Sequence, residues 1–151
     1  MLEFESQPAD RRAVLGILAT ADPNELAAVW QSFIEKPDFE LLRGPETGLV
    51  MLRGRTGGGG GPFNLGEATV TRASVRLSTG EVGHSYALGR DADKVRIAAV
   101  LDALWQRSES RAPVEAIVGA LAAKAAERDH RRREETAATR VDFFTMVRGD
   151  D

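Results

Sequence analysis

The chain has no cysteine. Disulfides, zinc ribbons and thiol catalysis are therefore excluded outright. Histidine is scarce as well: with only His84 and His130, a metal cage would draw most of its ligands from carboxylates. No metal or cofactor is expected. No apolar run approaches the roughly 20 residues needed to cross a bilayer. The first residues, Met1 to Arg12, are acidic rather than signal-like, so a cytoplasmic protein is expected. Basic charge is not in surplus, the formal net charge being −3. Without aromatics interleaved among its arginines, such a chain is not expected to bind nucleic acid.

What is there is an ordinary globular composition, 42% apolar and 28% charged over 151 residues. Residues 1–151 are expected to form one domain with a real core. The charge, however, is uneven. Residues 1–42 carry a balance of −5, residues 43–90 a balance of +3, and the remainder −1. All six basic groups of the middle third are arginines: Arg43, Arg53, Arg55, Arg72, Arg76 and Arg90. Guanidinium forks suit phosphate or carboxylate contacts, since they match those oxyanions bidentately. The plainer reading is a solvated sheet face.

Helices bracket that middle third. Pro8 to Thr20 reads as a short helix with Val14, Leu15, Ile17 and Leu18 on its apolar side. Asp22-Pro23-Asn24-Glu25 makes a strong helix start, with Asp22 as N-cap, proline at the first position and Glu25 completing a capping box. Leu26, Val29, Trp30, Phe33 and Ile34 continue it at helical spacing to Lys36-Pro37. Two antiparallel helices are expected, with Trp30 in the core. After Asp91, another N-cap, Ile97, Ala98, Leu101, Leu104 and Trp105 form a core stripe. A last helix is expected from Pro113 to about Thr139, buried along Val114, Ile117, Val118, Leu121, Ala122 and Ala125. Its second half has no apolar stripe, so Arg128, Arg131, Arg132 and Arg133 read as a solvated or partner-facing surface.

Between the helices lie four expected strands: Phe39 to Arg43, Gly48 to Arg55, Glu67 to Ser78 and Glu81 to Gly89. The second is apolar on both faces, which usually marks a central or doubly covered strand. In the third, Ala68 and Val70 share one parity while Ala73, Val75 and Leu77 share the other. That slip predicts a β-bulge at Arg72, which either aims Arg72 at a cleft or merely corrects the register. In the fourth, Gly83, Ser85, Ala87 and Gly89 form a small face on which a helix can lie closely. His84, beside Tyr86, is a candidate acid/base group or ligand, though without a partner constellation a structural role is the ordinary reading. Gly57 to Gly61 can cradle phosphate in principle, but a nucleotide loop would end in Lys-Ser/Thr at a helix. Here Pro62-Phe63-Asn64 and a strand follow, so a hairpin loop is expected.

The end of the chain turns apolar again at Val141, Phe143, Phe144, Met146 and Val147. Exposed apolar residues on both parities are an aggregation hazard. Residues 140–151 therefore read as a tail that docks, either on this domain or into another subunit, and a partner-docking tail is expected. The fold class is α+β: an antiparallel sheet of about four strands with helices packed on it, then a long C-terminal helix and an extended tail.

Three stretches carry a family resemblance: Glu46-Thr47-Gly48-Leu49-Val50, Phe63-Asn64-Leu65-Gly66-Glu67-Ala68-Thr69-Val70-Thr71-Arg72, and Gly83-His84-Ser85-Tyr86 through Gly89-Arg90-Asp91. With Leu101-Asp102-Ala103-Leu104 and the terminal run from Arg140 to Asp150, the chain from about Ala13 onward resembles the PhnG family. Its five-glycine run is longer than that family's usual loop, and residues 112–135 carry none of the resemblance.

The resemblance implies a subunit of the bacterial carbon–phosphorus lyase machinery, in a core complex with PhnH, PhnI and PhnJ. With PhnH, PhnI and PhnL, it implies support for attack of methylphosphonate on C1′ of ATP. Adenine leaves and α-D-ribose 1-methylphosphonate 5-triphosphate forms. The nucleosidase-like chemistry falls to PhnI and the radical C–P cleavage to PhnJ, leaving this chain without a catalytic residue. The candidate substrate or partner contacts are Thr71, Arg72, His84, Arg90, Arg140, Asp142, Phe143, Phe144 and Arg148. Two alternatives stand beside a non-catalytic subunit: Arg72 and His84 entering a shared active site, or a stand-alone anion-binding domain using the glycine loop.

Overall fold

The computed structural model describes residues 10–139. The apolar residues at the two ends, including the expected docking tail, lie outside them. Helix α1 (Arg11–Thr20) starts on Asp10, whose carboxylate accepts from the Arg12 N–H. Helix α2 (Pro23–Ser32) starts on Asp22, capped in the same way at Asn24. Glu25 does not complete a capping box. Its Oε1 instead accepts from Arg128 at 2.6 Å, so Arg128 is held by α2 rather than solvated. The second helix also stops earlier than expected, leaving Ile34 outside it and fully exposed. Lys36 ends it by donating to the carbonyls of Trp30 and Phe33. Helices α1 and α2 each pack on the helix that follows the sheet instead of pairing with each other.

The sheet is a three-stranded antiparallel meander in the order β1 (Phe39–Arg55), β2 (Pro62–Leu77), β3 (Val82–Leu88). The two expected strands at 39–43 and 48–55 are one. Gly44-Pro45 does not break it, because β1 is an edge strand, where proline's missing N–H leaves no ladder bond unmade. Being an edge also corrects the expectation that the doubly apolar stretch is central: Leu49 and Met51 are 61% and 56% exposed.

The irregularity expected at Arg72 sits opposite it. Register shifts fall between Leu41 and Arg43 and between Arg43 and Glu46 on β1, while β2 pairs with β3 without a break from Val70 to Arg76. Along β2 the covered face is simply Thr71, Ala73, Val75 and Leu77, all buried. Val70 is buried on the other face, and that produced the false slip.

Helix α3 (Ala92–Gln106) lies across the small face of β3 and is buried on nearly every side from Val95 to Trp105. The sheet covers one side and α1, α2 and α4 the others, which is how a helix comes to be apolar all round. Gly83 sets the approach: a Cβ there would lie 1.9 Å from the Ala99 carbonyl oxygen and 2.6 Å from the Ala103 nitrogen. Only glycine fits.

Helix α4 (Ser108–Ala138) begins five residues before the expected Pro113. Its first turn is tied to the end of α3 by Ser110 Oγ to the Leu104 carbonyl and Arg111 Nε to the Trp105 carbonyl, at 2.6 and 3.0 Å. At 31 residues it runs about 46 Å, and its last nine residues are exposed.

Candidate functional site

Two regions compete for attention. The first is the face of the sheet that no helix among the described residues covers. Antiparallel register lines up Arg43, Ser74 and His84 in one row across the three strands, and Glu46, Arg72 and Tyr86 in the next. Side chains two apart on a strand share a face. Arg72 and His84, singled out for different reasons, therefore stand as diagonal neighbours. Both line a cleft of about 610 Å³ with Leu15, Leu42, Arg43, Ala73, Ser74, Ser85 and Tyr86. Arg43 and Leu42 flank the bulged part of β1, where an extra residue re-aims the chain.

Arg72 is held through Nε and Nη2 to one oxygen of Glu46, at 3.2 and 3.1 Å. Arg43 stands 4.0 Å from the other oxygen of the same carboxylate. All three side chains are about half exposed. His84 Nδ1 is 2.9 Å from Ser74 Oγ. If the hydroxyl donates, Nε2 carries the ring proton and is left as a donor. The cleft thus offers guanidinium donors and an imidazole beside apolar walls. No group of three or more His, Asp or Glu among the described residues is placed to hold a metal.

Of the other proposed contacts, the two among the described residues, Thr71 and Arg90, are not brought to this cleft. Thr71 points to the covered side, is 1% exposed, and donates to the Gly89 carbonyl at 2.6 Å. Arg90 is exposed beyond the end of β3 and lines no part of it. Arg140, Asp142, Phe143, Phe144 and Arg148 lie outside the described residues. The glycine run is the tip of the β1–β2 hairpin. Gly57 and Gly58 have φ of 58° and 78°, and the Gly60 N–H closes the turn on the Thr56 carbonyl at 2.8 Å.

One polar node went unread in the sequence. Asp102, fully buried in α3, takes Arg11 Nε and Nη2 at 3.0 and 2.8 Å and the His84 backbone N–H at 2.8 Å. Gln106 and Arg11 both reach the Val82 carbonyl. At the outer edge of β3 the Val82 carbonyl and the His84 N–H are thereby satisfied by side chains, and the backbone under His84 is fixed. The hydrogen bond to Asp102 raises the Arg11 pKa further above its already high ordinary value. Arg11 and Asp102 are 91 residues apart in sequence, and no local pattern joins them.

The second region is the far part of the hairpin. Beyond Gly48 and Val70, β1 and β2 pair only with each other. Leu49, Met51, Leu52, Phe63 and Leu65 are all exposed on this two-stranded arm, on both of its faces. A lone two-stranded hairpin is marginal in water, and apolar surface of this kind marks an interaction site.

A family model described as "Phosphonate metabolism protein PhnG" matches residues 9–149. The chain belongs to the PhnG family. A PhnG relative from Rhizobium meliloti (strain 1021) is 58% identical over 143 residues, 95% of this chain and 92% of its own. It is named as the PhnG subunit of alpha-D-ribose 1-methylphosphonate 5-triphosphate synthase. Neither match is confined to one motif. Both run through the open-face rows, the arm and the buried Asp102 node alike.

Proposed function

We propose that the chain is a subunit of an α-D-ribose 1-methylphosphonate 5-triphosphate synthase, working in organic phosphonate catabolism in the cytoplasm. The observation that carries this reading is the 58% identity, spread over nearly the whole length, to a subunit so named. The apolar arm supports it physically: a surface of this kind belongs against another protein. PhnI, PhnH, PhnJ and PhnL are the proposed partners. The reaction joins methylphosphonate to C1′ of ATP with loss of adenine. Its nucleophile is already ionised and needs no general base. The chain's proposed part is assembly and shape rather than bond-making.

The apolar run at residues 140–151 is proposed as a docking element alongside the arm. A chain lacking Arg140–Asp151 is expected to fold and to lose co-purification with PhnI. Unimpaired assembly of the shortened chain would remove the tail from the interface.

A second reading is favoured by one observation, the shared cleft of Arg72 and His84. An anionic phosphonate meeting a triphosphate needs positive charge to offset repulsion. On this reading the open face borders the substrate chamber. Arg72→Ala and His84→Ala complexes that assemble normally should turn over more slowly. Wild-type rates for both would leave the scaffold reading alone.

A further inference from the structure

We infer that the open-face cleft is a binding site for a tetrahedral phosphorus oxyanion, and that Glu46, which lines the adjoining cleft that shares Arg72 and Tyr86 with it, is the carboxylate that occupies Arg72 until the ligand arrives. The inference rests on the reading that the chain serves a phosphonate-handling complex. It assigns the ligand class and an exchange mechanism, which that reading does not.

The geometry is that of an occupied anion seat. Arg72 directs Nε and Nη2 at a carboxylate oxygen, the same edge of the guanidinium that grips a phosphoryl or phosphonyl group bidentately. Both nitrogens fall on one oxygen, at 3.2 and 3.1 Å, rather than forking over two. The second Glu46 oxygen is left 4.0 Å from Arg43, a distance for attraction but not for a hydrogen bond. One carboxylate thus lies between two guanidinium groups and saturates neither. An ion pair this exposed is weakly held, since water screens it and both side chains lose freedom to form it. A dianionic head with three oxygens can do what Glu46 does not: fork onto Arg72 and reach Arg43 together.

The surroundings narrow the ligand further. Ser74 holds Nδ1 of His84, and in the tautomer where the Ser74 hydroxyl donates, Nε2 is a third donor for such a head. Leu42 and Tyr86, also in the cleft lining, offer apolar surface to a small substituent on phosphorus or to a sugar. Arg76 makes the comparison internal to the protein. It sits on the same face two residues from Ser74, pairs with Glu40 at 3.1 Å, is equally half exposed, and does not line the cleft. Charge alone would make Arg76 and Arg72 equivalent.

The test is calorimetric titration of the full-length chain, and of the co-purified complex, with methylphosphonate, inorganic phosphate and ATP in separate arms. Saturable binding of at least one is expected in chain or complex. The arm that binds tightest tells a phosphonate or phosphate head from a triphosphate. Arg72→Ala and Arg43→Ala should each weaken it by roughly tenfold, the loss of a charge-assisted contact. Glu46→Gln should tighten it by about threefold or more, because the competing charge is gone. Arg76→Ala should leave it unchanged.

The inference is overturned by absence of saturable binding in both preparations, by Glu46→Gln binding no tighter than wild type, or by Arg76→Ala weakening as much as Arg72→Ala. Turnover of the complex, measured beside binding, separates the two readings. Binding that follows this pattern while Arg72→Ala leaves turnover intact upholds the site and removes it from the reaction. Slowed turnover with unchanged binding does the reverse.

Discussion

Within the seven residues of β3, Gly83, Ser85 and Ala87 lie under α3, while His84, Tyr86 and Leu88 stand on the uncovered face. The covered side is specified by sterics. Its residues are small because a helix backbone must come close, and the space for one methyl group is already taken. The uncovered side is specified by polarity. Its arginines, histidine and tyrosine are loosely paired and half exposed, with packing that leaves them free to exchange partners. Disturbing the first side should therefore damage folding, and disturbing the second should damage function with the fold intact.

The sharpest way to break that comparison is Gly83→Val. The added side chain meets α3 backbone, which cannot rotate away, and a loss of about 3 kcal/mol or more is expected. Denaturant melts of the chain would read it, and near-native stability would mean that α3 can lift off β3. Next comes Asp102→Ala, which strands the Arg11 guanidinium and the His84 N–H at once. Breaking such a buried pair costs about 3 kcal/mol, with Arg11's partial exposure keeping the loss at that lower end. Because the lost bond fixes the His84 backbone, this variant should also disturb the open face. His84 ring resonances followed by NMR would show it.

Smaller effects on stability are expected from the arm. Leu49→Ser with Leu65→Ser should change unfolding free energy by no more than about 0.5 kcal/mol, yet reduce recovery of the complex in pull-downs. Unaltered recovery would mean that the arm is not an interface. The smallest effect is at Lys94, in the first turn of α3, where burial lowers the ammonium pKa. A lowered pKa in a base means that the folded state disfavours the charged form. The penalty is present at neutral pH and disappears as the pH rises from the folded pKa to the ordinary lysine value. Lys94→Met should thus be slightly more stable at pH 7, with the advantage closing at high pH.

The sequence made the covered face of β3 readable because its small residues alternate strictly, and a period of two is hard to mistake. It also put Arg72 and His84 forward, each on local grounds, though nothing local could say that they meet. What misled was burial that the pattern cannot foresee. Val70 is buried on the open face, so it mimicked a slip. Leu49, Met51 and Leu52 looked interior, yet no described residue covers them. Gly44-Pro45 read as a break because proline usually ends a strand, and only an edge excuses it. The pairing of Arg11 with Asp102, and of Glu25 with Arg128, joins segments 91 and 103 residues apart, beyond the reach of any periodicity.

That last point bears on the order in which the molecule is built. The meander and α3 make their contacts between near neighbours, whose loops close at little entropic expense. Arg11 is made before Asp102, which follows 91 residues later, so their pairing must wait for it. An earlier segment is fastened by a later one. The Asp102 node then acts as a closing clasp, one that should slow unfolding more than it hastens folding.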